Sequence, residues 1–273
     1  MRILAIGDVN GRAGRRLVQE HLPRLIASRG IDFAVANVEN AADGFGVTPD
    51  LAEQLLAQGL DCLTSGNHIW DKQEVLDYLS VQPRLLRPEN YPEGAPGRGV
   101  FVGATASGEP VAVVNLMGRL FMPPCDDPFR TADRVLQQLK GRARVILVDM
   151  HAEATSEKQA LGVHLSGRVS TVFGTHTHVQ TADETILPGG TAYISDLGMT
   201  GPYDSVIGIE KSLALKRFLT GMPVRLSVAK RDPRLCGVVI DVDGATGRAV
   251  AIERIQIRTE GGGEMRGGDA QPG

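Results

Sequence analysis

The side chains best suited to binding metal ions lie in five short polar segments, each of which directly follows an apolar run. These segments are Asp8, Glu39-Asn40, Asn67-His68, His151 and His176-Thr177-His178. In open α/β sheets, ligand sites form outside the carboxyl ends of the strands. If the apolar runs are strands, the segments bring two carboxylates, two amides and four imidazoles to one rim.

This set mixes oxygen and nitrogen ligands, which suits zinc, iron or manganese better than calcium or magnesium. Eight groups exceed the needs of one ion. We therefore predict two metal ions that share a bridging carboxylate.

Each residue taken alone has a simpler interpretation. Asp8 is equally consistent with a helix N-cap, Asn40 and Asn67 with turns, and a single His151 with a hydrogen-bonded histidine. The His176-Thr177-His178 segment is more telling, because residues i and i+2 share one face of a strand. The prediction depends on the joint occurrence of these residues after strands.

The elements that position these residues alternate regularly in the first third of the chain. Apolar runs at 3–6, 33–38 and 60–64 predict strands, and the segments between and after them predict helices at about 13–28, 49–58 and 71–79. Thr48 is a good N-cap, Gly30 a good C-cap, and Pro23 predicts a kink or break in the first helix. The alternation indicates βαβ units and a mostly parallel sheet.

The rest of the chain predicts further strands and helices. A hairpin turn is expected at 107–110, a helix from Asp127 or Asp133 to Leu139, strands at 145–149, 169–173 and 191–195, helices at 153–161 and 209–219, and closing strands at 224–229, 237–242 and 249–257. We predict one domain over residues 1–258. Residues 259–273 lack apolar content and are expected to form a mobile tail.

Composition narrows the class of protein. Of 273 residues, 42% are hydrophobic and 22% charged, and the net charge of −3 gives no strong signal for nucleic acid or anionic membrane. Three separated cysteines without a C-x-x-C pair indicate free thiols in a reducing compartment. The start MRILAIGD does not resemble a signal peptide, and no apolar run approaches the roughly 20 residues of a membrane span. We expect a cytoplasmic protein; whether it forms a homo-oligomer is left open.

The order of the five segments resembles the motif series of the calcineurin-like metallophosphoesterases. The stretches GNHIWD from Gly66, NLMGRLFM from Asn115 and TGPYDSVIG from Thr200 are similar to the YmdB-like branch of bacterial cyclic-nucleotide phosphodiesterases. The resemblance extends over about residues 1–257. It implies an α/β fold in which a β-sandwich is flanked by helices, in four layers α/β/β/α.

The resemblance also implies roles for the metal ligands. It assigns one metal to Asp8, Glu39, Asn40 and His178, and the other to Glu39, Asn67, His151 and His176. His68 lies outside the coordination shell and acts as general acid. Where most of the superfamily has Asp-x-His, this chain has Asp8-Val9-Asn10, so one histidine ligand is missing. Two divalent or trivalent ions are implied, with iron the first choice and manganese the next.

The activity implied is hydrolysis of phosphodiesters, in particular 2′,3′- or 3′,5′-cyclic nucleotides, by a metal-bridging hydroxide. Two alternatives stay open: a phosphomonoesterase, and a regulatory or RNA-associated protein with a weakly active metal site. For substrate binding, Phe121 either stacks on a base or packs inward. Thr200 and Ser205 are predicted at the rim of the same pocket.

Overall fold

A computed structural model of the protein describes residues 1–258, so the predicted tail at 259–273 lies outside the described residues. The elements in chain order are β1 (Arg2–Ile6), α1 (Gly11–Arg29), β2 (Phe33–Asn37), α2 (Pro49–Ala57), β3 (Cys62–Thr64), a 3₁₀ turn (Asn67–Trp70), α3 (Val75–Val81), β4 (Val100–Ala104), β5 (Pro110–Met117), α4 (Pro128–Leu139), β6 (Val145–His151), α5 (Thr155–Leu165), β7 (Thr171–Thr175), β8 (Thr185–Leu187), β9 (Thr191–Ile194), β10 (Gly201–Pro202), α6 (Lys211–Thr220), β11 (Pro233–Asp243) and β12 (Arg248–Arg258).

The strands form two mixed sheets. In the first, β1, β2 and β3 are parallel, β11 runs antiparallel to β1, and β12 and the short β10 pair with β11. In the second, β5, β6, β7 and β9 are parallel, and β4 and β8 are antiparallel edge strands. Helical crossovers join the parallel pairs β1 and β2, β2 and β3, β5 and β6, and β6 and β7, as is usual for parallel strands, whereas the connection from β7 to β9 contains the short strand β8.

Side-chain alternation along the strands creates three apolar layers. Ile3 and Ala5 face the second sheet and pack in one cluster with Val111 and Val113 of β5. The opposite faces pack on helices: those of the first sheet on α1 to α3, and those of the second on α4 and α5. Successive strand residues point to opposite faces, and the central strands of both sheets are therefore covered on both sides. The predicted four-layer α/β/β/α architecture is confirmed.

Several local predictions are also confirmed. Thr48 accepts a hydrogen bond from the Leu51 amide at the start of α2, and Asp127 caps α4. Gly30 ends α1 with φ of +62°, a left-handed conformation that glycine adopts without steric cost. The hairpin joining β4 and β5 lies at the predicted turn.

Other predictions are wrong. Residues 224–229 do not form a strand, and only an isolated bridge joins Val228 to Ile209. Asp71 does not open a helix; it follows the 3₁₀ turn, and α3 begins at Val75. Helix α1 continues through Pro23, so the helix does not break there, which was one of the two outcomes predicted. The alternation of strands and helices predicts one mostly parallel sheet instead of the two mixed sheets of the structure. The sequence pattern does not distinguish these, because it does not show which strands pair with one another.

Within the part of the chain that the structure describes, no helix has both the length and the apolar character needed to cross a bilayer.

Candidate metal centre

The five polar segments meet at one edge of the sandwich, where the carboxyl ends of strands from both sheets converge. Asp8, Glu39 and Asn67 follow β1, β2 and β3 of the first sheet. His151 ends β6 and His176 follows β7 of the second. Both sheets therefore contribute to one site, whereas the sequence alone predicted a single sheet rim.

One cluster of ligand atoms surrounds His151. Its Nε2 lies 3.1 Å from Glu39 Oε1, 3.0 Å from Asn67 Oδ1 and 3.1 Å from His176 Nδ1. The ligand atoms of Glu39, His151 and His176 all lie within 4.8 Å of one another. His176 Nε2 is 3.2 Å from Glu153 Oε2, which leaves Nδ1 directed into the cluster.

The hydrogen-bond partners behind His151 fix its orientation. The Thr175 hydroxyl donates its proton to Asp149 Oδ1 at 2.7 Å, so its oxygen accepts from His151 Nδ1 at 2.9 Å. In the neutral ring, Nε2 then carries a lone pair. That lone pair faces the oxygen atoms of Glu39 and Asn67, which are acceptors as well. Converging acceptors of this kind fit a cation, and hydrogen bonds from a supporting shell are typical of metal-binding histidines.

In a second cluster, a histidine is likewise held through Nδ1 while its Nε2 faces amide and carboxylate oxygens. His178 Nε2 lies 3.2 Å from Asn40 Oδ1 and 3.9 Å from Asp8 Oδ1. Its Nδ1 donates to the Ile207 carbonyl at 2.8 Å, so Nε2 is again the unprotonated nitrogen of the neutral ring. The Asn40 amide nitrogen donates to the Gly44 carbonyl at 2.8 Å, which directs the amide oxygen toward His178. The second donor set also fits a cation.

The two carboxylates of the site are fully buried without a lysine or arginine partner. Among the described residues, no lysine or arginine pairs with Asp8 or Glu39. Burial raises the pKa of Asp8, and the charge of His178 only partly opposes this. Burial also acts to raise the pKa of Glu39, but the charge and hydrogen bond of His151, with help from His68, hold it at about 2. Bound cations are the usual compensation for such buried charge.

The histidines differ in their protonation. Burial and the charge of His151 lower the pKa of His176 to about 3, so His176 is neutral and able to act as a ligand at pH 7. For His151, burial acts to lower the pKa, but the adjacent Glu39 carboxylate together with Asp8 and Asp149 outweighs it, and the pKa is raised. This raised pKa strengthens the competition between a proton and a metal ion for His151.

His68 lies beside the clusters rather than within them. Its backbone amide donates to Glu39 Oε2 at 2.9 Å, and its ring meets Phe45 edge-on with centroids 5.1 Å apart. Its Nδ1 is 2.7 Å from Asp71 Oδ2, which leaves Nε2 free, and the side chain is 29% exposed. Sequence reasoning missed Asp71 as the partner of His68; its signal was the i, i+3 spacing in GNHIWD.

The predicted substrate-binding residues have different surroundings. Phe121 is 91% exposed with φ of +62°, so the inward-packing alternative is wrong. Thr200 is fully buried, and its hydroxyl contacts the Cys236 backbone; its amide donates to the Asp8 carbonyl, so it supports the β1 loop instead of contacting solvent. The Ser205 hydroxyl is used in a turn, where it donates to the Pro202 carbonyl and accepts from the Gly208 amide.

Three comparisons with known proteins agree with this arrangement. The model of the YmdB-like protein family matches residues 4–255. A curated relative, the 2′,3′-cyclic-nucleotide 2′-phosphodiesterase of Bacillus subtilis (strain 168), is 51% identical over 260 residues, which cover 95% of this chain and 98% of that protein.

Two crystal structures are similar over nearly the whole chain. A hypothetical protein from Thermus thermophilus has a TM-score of 0.89 and 45% identity, and the match covers 94% of this chain and 99% of that one. A novel phosphatase from Mycoplasma pneumoniae has a TM-score of 0.88 and 33% identity, covering 94% and 93%.

The four-layer fold, the convergent donor sets and these relatives define the class of protein: it is a hydrolase of phosphate esters of the metallophosphoesterase type. Within that class, the chain belongs to the YmdB-like protein family.

Proposed function

We propose that the protein is a phosphodiesterase that opens 2′,3′-cyclic nucleotides with the help of two bound metal ions. The observation that carries the proposal is the convergence of the histidine Nε2 atoms on carboxylate and amide oxygens, at distances of 3.0 to 3.2 Å. The cyclic-nucleotide substrate is supported by 51% identity to the B. subtilis enzyme.

The two clusters support the proposed ligand sets. Asp8, Asn40 and His178 would hold one ion, Asn67, His151 and His176 would hold the other, and Glu39 would contribute to both, as the family resemblance implies. The first set contains one imidazole and the second contains two, and a mixture of oxygen and nitrogen ligands suits iron or manganese. We propose iron in the active protein, with manganese as the alternative.

When bound, a pair of metal ions supplies hydroxide at neutral pH and neutralises charge on the phosphoryl oxygens. The protein's own residues complete the reaction. His68 donates a proton from Nε2 to the departing ribose oxygen, and Asp71 fixes the ring through Nδ1. Because the relative is named a 2′-phosphodiesterase, we propose that the bond to O2′ breaks and a nucleoside 3′-phosphate is released.

Base recognition is assigned to the loop that follows β5. Gly118, at the start of this loop, donates its amide to the His151 carbonyl at 2.9 Å, which connects the loop to a proposed ligand. Glu157 accepts the amides of Arg119 and Leu120 and holds the loop in place. The exposed ring of Phe121 is available to stack on a base.

The location of the protein is also a proposal. Cys62, Cys125 and Cys236 are free thiols, which is the usual state of cysteine in a reducing compartment. We propose a cytoplasmic enzyme.

The test is hydrolysis by metal-loaded protein of 2′,3′-cyclic AMP, 3′,5′-cyclic AMP, bis-p-nitrophenyl phosphate and p-nitrophenyl phosphate, with products separated by chromatography. We expect 2′,3′-cyclic AMP to be the best substrate and 3′-AMP to be its only product. Preferential hydrolysis of p-nitrophenyl phosphate would instead identify a phosphomonoesterase. No hydrolysis of any ester would favour the regulatory alternative.

A further inference from the structure

A buried ion pair lies behind the two histidines of the His176-Thr177-His178 segment. Lys158 on α5 places its Nζ 2.7 Å from Asp196 Oδ2, and each side chain is only 2% exposed. Desolvation of two charges costs about as much as their attraction returns, so a buried ion pair is weak evidence for stability. We therefore expect the Lys158–Asp196 pair to have a role other than stabilising the fold.

The Asp196 carboxylate binds the residue between the two histidines. Its Oδ2 accepts hydrogen bonds from the Thr177 hydroxyl at 2.8 Å and the Thr177 amide at 3.1 Å. Its Oδ1 accepts from the Gly198 amide at 2.8 Å. One buried carboxylate thus ties the histidine segment to the chain that follows β9.

The backbone of the histidine segment needs such an anchor. His176 has φ of +101° and His178 has φ of +65°, in a region that non-glycine residues rarely adopt. Conformations of this kind persist only where the surroundings enforce them, and they concentrate at functional sites. This backbone directs His176 Nδ1 to one ligand cluster and His178 Nε2 to the other.

The same anchor extends to a third proposed ligand. The Met199 amide contacts the His178 carbonyl at 3.3 Å, and the Thr200 amide donates to the Asp8 carbonyl at 2.9 Å. The short segment that begins at Asp196 therefore contacts the backbone of both His178 and Asp8.

We propose that Lys158 and Asp196 are positioning residues of the metal centre, through which Thr177 holds His176 and His178 in the geometry needed to bind two different ions. Lys158 supplies the charge that compensates the burial of Asp196, and Asp196 fixes Thr177. This inference rests on the ligand assignment of the proposed function.

The most direct test changes Thr177 alone, because this leaves the ion pair and all proposed ligands intact. Thr177→Val removes the hydroxyl but keeps the shape, and Thr177→Ser keeps the hydroxyl as the matched control. We expect Thr177→Val to weaken manganese affinity roughly 10- to 100-fold, as is usual for groups that orient ligands. The metal-free variant should melt within a few degrees of wild type, and Thr177→Ser should bind manganese like wild type.

A second test separates positioning from stability. Lys158→Met alone leaves a buried unpaired charge and is expected to lower the melting temperature of the metal-free protein. In Lys158→Met/Asp196→Asn, the neutral pair should recover that melting temperature, yet manganese affinity should stay reduced, because an amide accepts a weaker hydrogen bond than a carboxylate.

The outcomes are distinguishable. Wild-type manganese affinity in Thr177→Val, or recovery of affinity together with stability in the double variant, would show that the pair serves the fold alone. The proposed function would survive that result if wild-type protein still binds two ions and hydrolyses the cyclic nucleotide. Wild-type protein that binds no manganese or iron would overturn both.

Discussion

At the scale of single residues, the geometry of the candidate site depends on the hydrogen-bond partners of the proposed ligands as much as on the ligands themselves. The Thr175 hydroxyl and the Ile207 carbonyl each accept a hydrogen bond from Nδ1 of a histidine, so His151 and His178 direct Nε2 toward the oxygen atoms of the site. His176 presents Nδ1 instead, because Glu153 lies beside its Nε2. These partners select the nitrogen that is able to bind an ion.

The first prediction concerns His68, which contacts Asp71 but stands outside both ligand clusters. His68→Ala should lower kcat for 2′,3′-cyclic AMP by roughly 10²- to 10⁴-fold, the usual contribution of a general acid. Metal content should stay near that of wild type by elemental analysis. Loss of metal from this variant would instead identify His68 as a ligand and contradict its assignment as proton donor.

The second prediction follows from the raised pKa of His151. In metal-free protein this raised pKa stabilises the fold at pH below the unfolded value of about 6.5, and the contribution is lost as the pH rises through the folded pKa. An ion competes with that proton, so metal affinity should rise with pH and binding should release protons.

Titration calorimetry at pH 7 in two buffers of different ionisation enthalpy measures this release. A net proton uptake, or an affinity for manganese that falls between pH 6 and pH 8, would contradict the role of His151.

At the scale of elements, the strand ends were predictable from the sequence, because each apolar run stops at a polar residue with metal-binding capacity. Asp8, Glu39, Asn67 and His151 all lie where that reasoning put them. The pairing of strands was not predictable, since the sequence pattern of β1 or β6 is the same for one large sheet or two stacked sheets.

The residues that hold the proposed ligands in place could also not be predicted from the sequence. Lys158 on a helix and Asp149 within a strand look like ordinary solvated or turn-forming charges, yet both are buried. Their partners lie far away along the chain: Asp196 is 38 residues from Lys158, and Thr64 is 85 residues from Asp149. Only the folded topology brings such pairs together.

The third prediction tests the loop after β5 and its exposed Phe121. Phe121→Ala should raise KM for 2′,3′-cyclic AMP by roughly 5- to 150-fold, since base stacking on an aromatic ring contributes about 1–3 kcal/mol per base. KM for bis-p-nitrophenyl phosphate, which carries no base, is the internal comparison. Equal KM values of variant and wild type for the nucleotide would remove Phe121 from substrate binding.

At the scale of the whole molecule, the site joins the two sheets at one end. Residues after β1, β2 and β3 meet residues of β6 and β7, so the donor clusters span the sandwich. We propose that residues 1–258 form one domain, as the sequence predicted, because neither sheet carries a complete ligand set.

The fourth prediction concerns this connection. Ions that bind only the folded state stabilise it by about 2.7 kcal/mol per site at a free concentration 100 times Kd. For a chain of this size, chelation should therefore lower the melting temperature by about 5–10 °C for each ion lost. Scanning calorimetry of chelated and metal-loaded protein measures the shift. Coincident transitions would show that no ion is bound at this edge.

The central claim is that ligands from both sheets hold two metal ions. The most direct measurement is the anomalous scattering of crystals of the metal-loaded protein, collected on both sides of the manganese or iron absorption edge. The account predicts two peaks with Glu39 between them, one beside Asp8, Asn40 and His178 and the other beside Asn67, His151 and His176. A map without a peak at either cluster, or with a single peak elsewhere in the molecule, would contradict it.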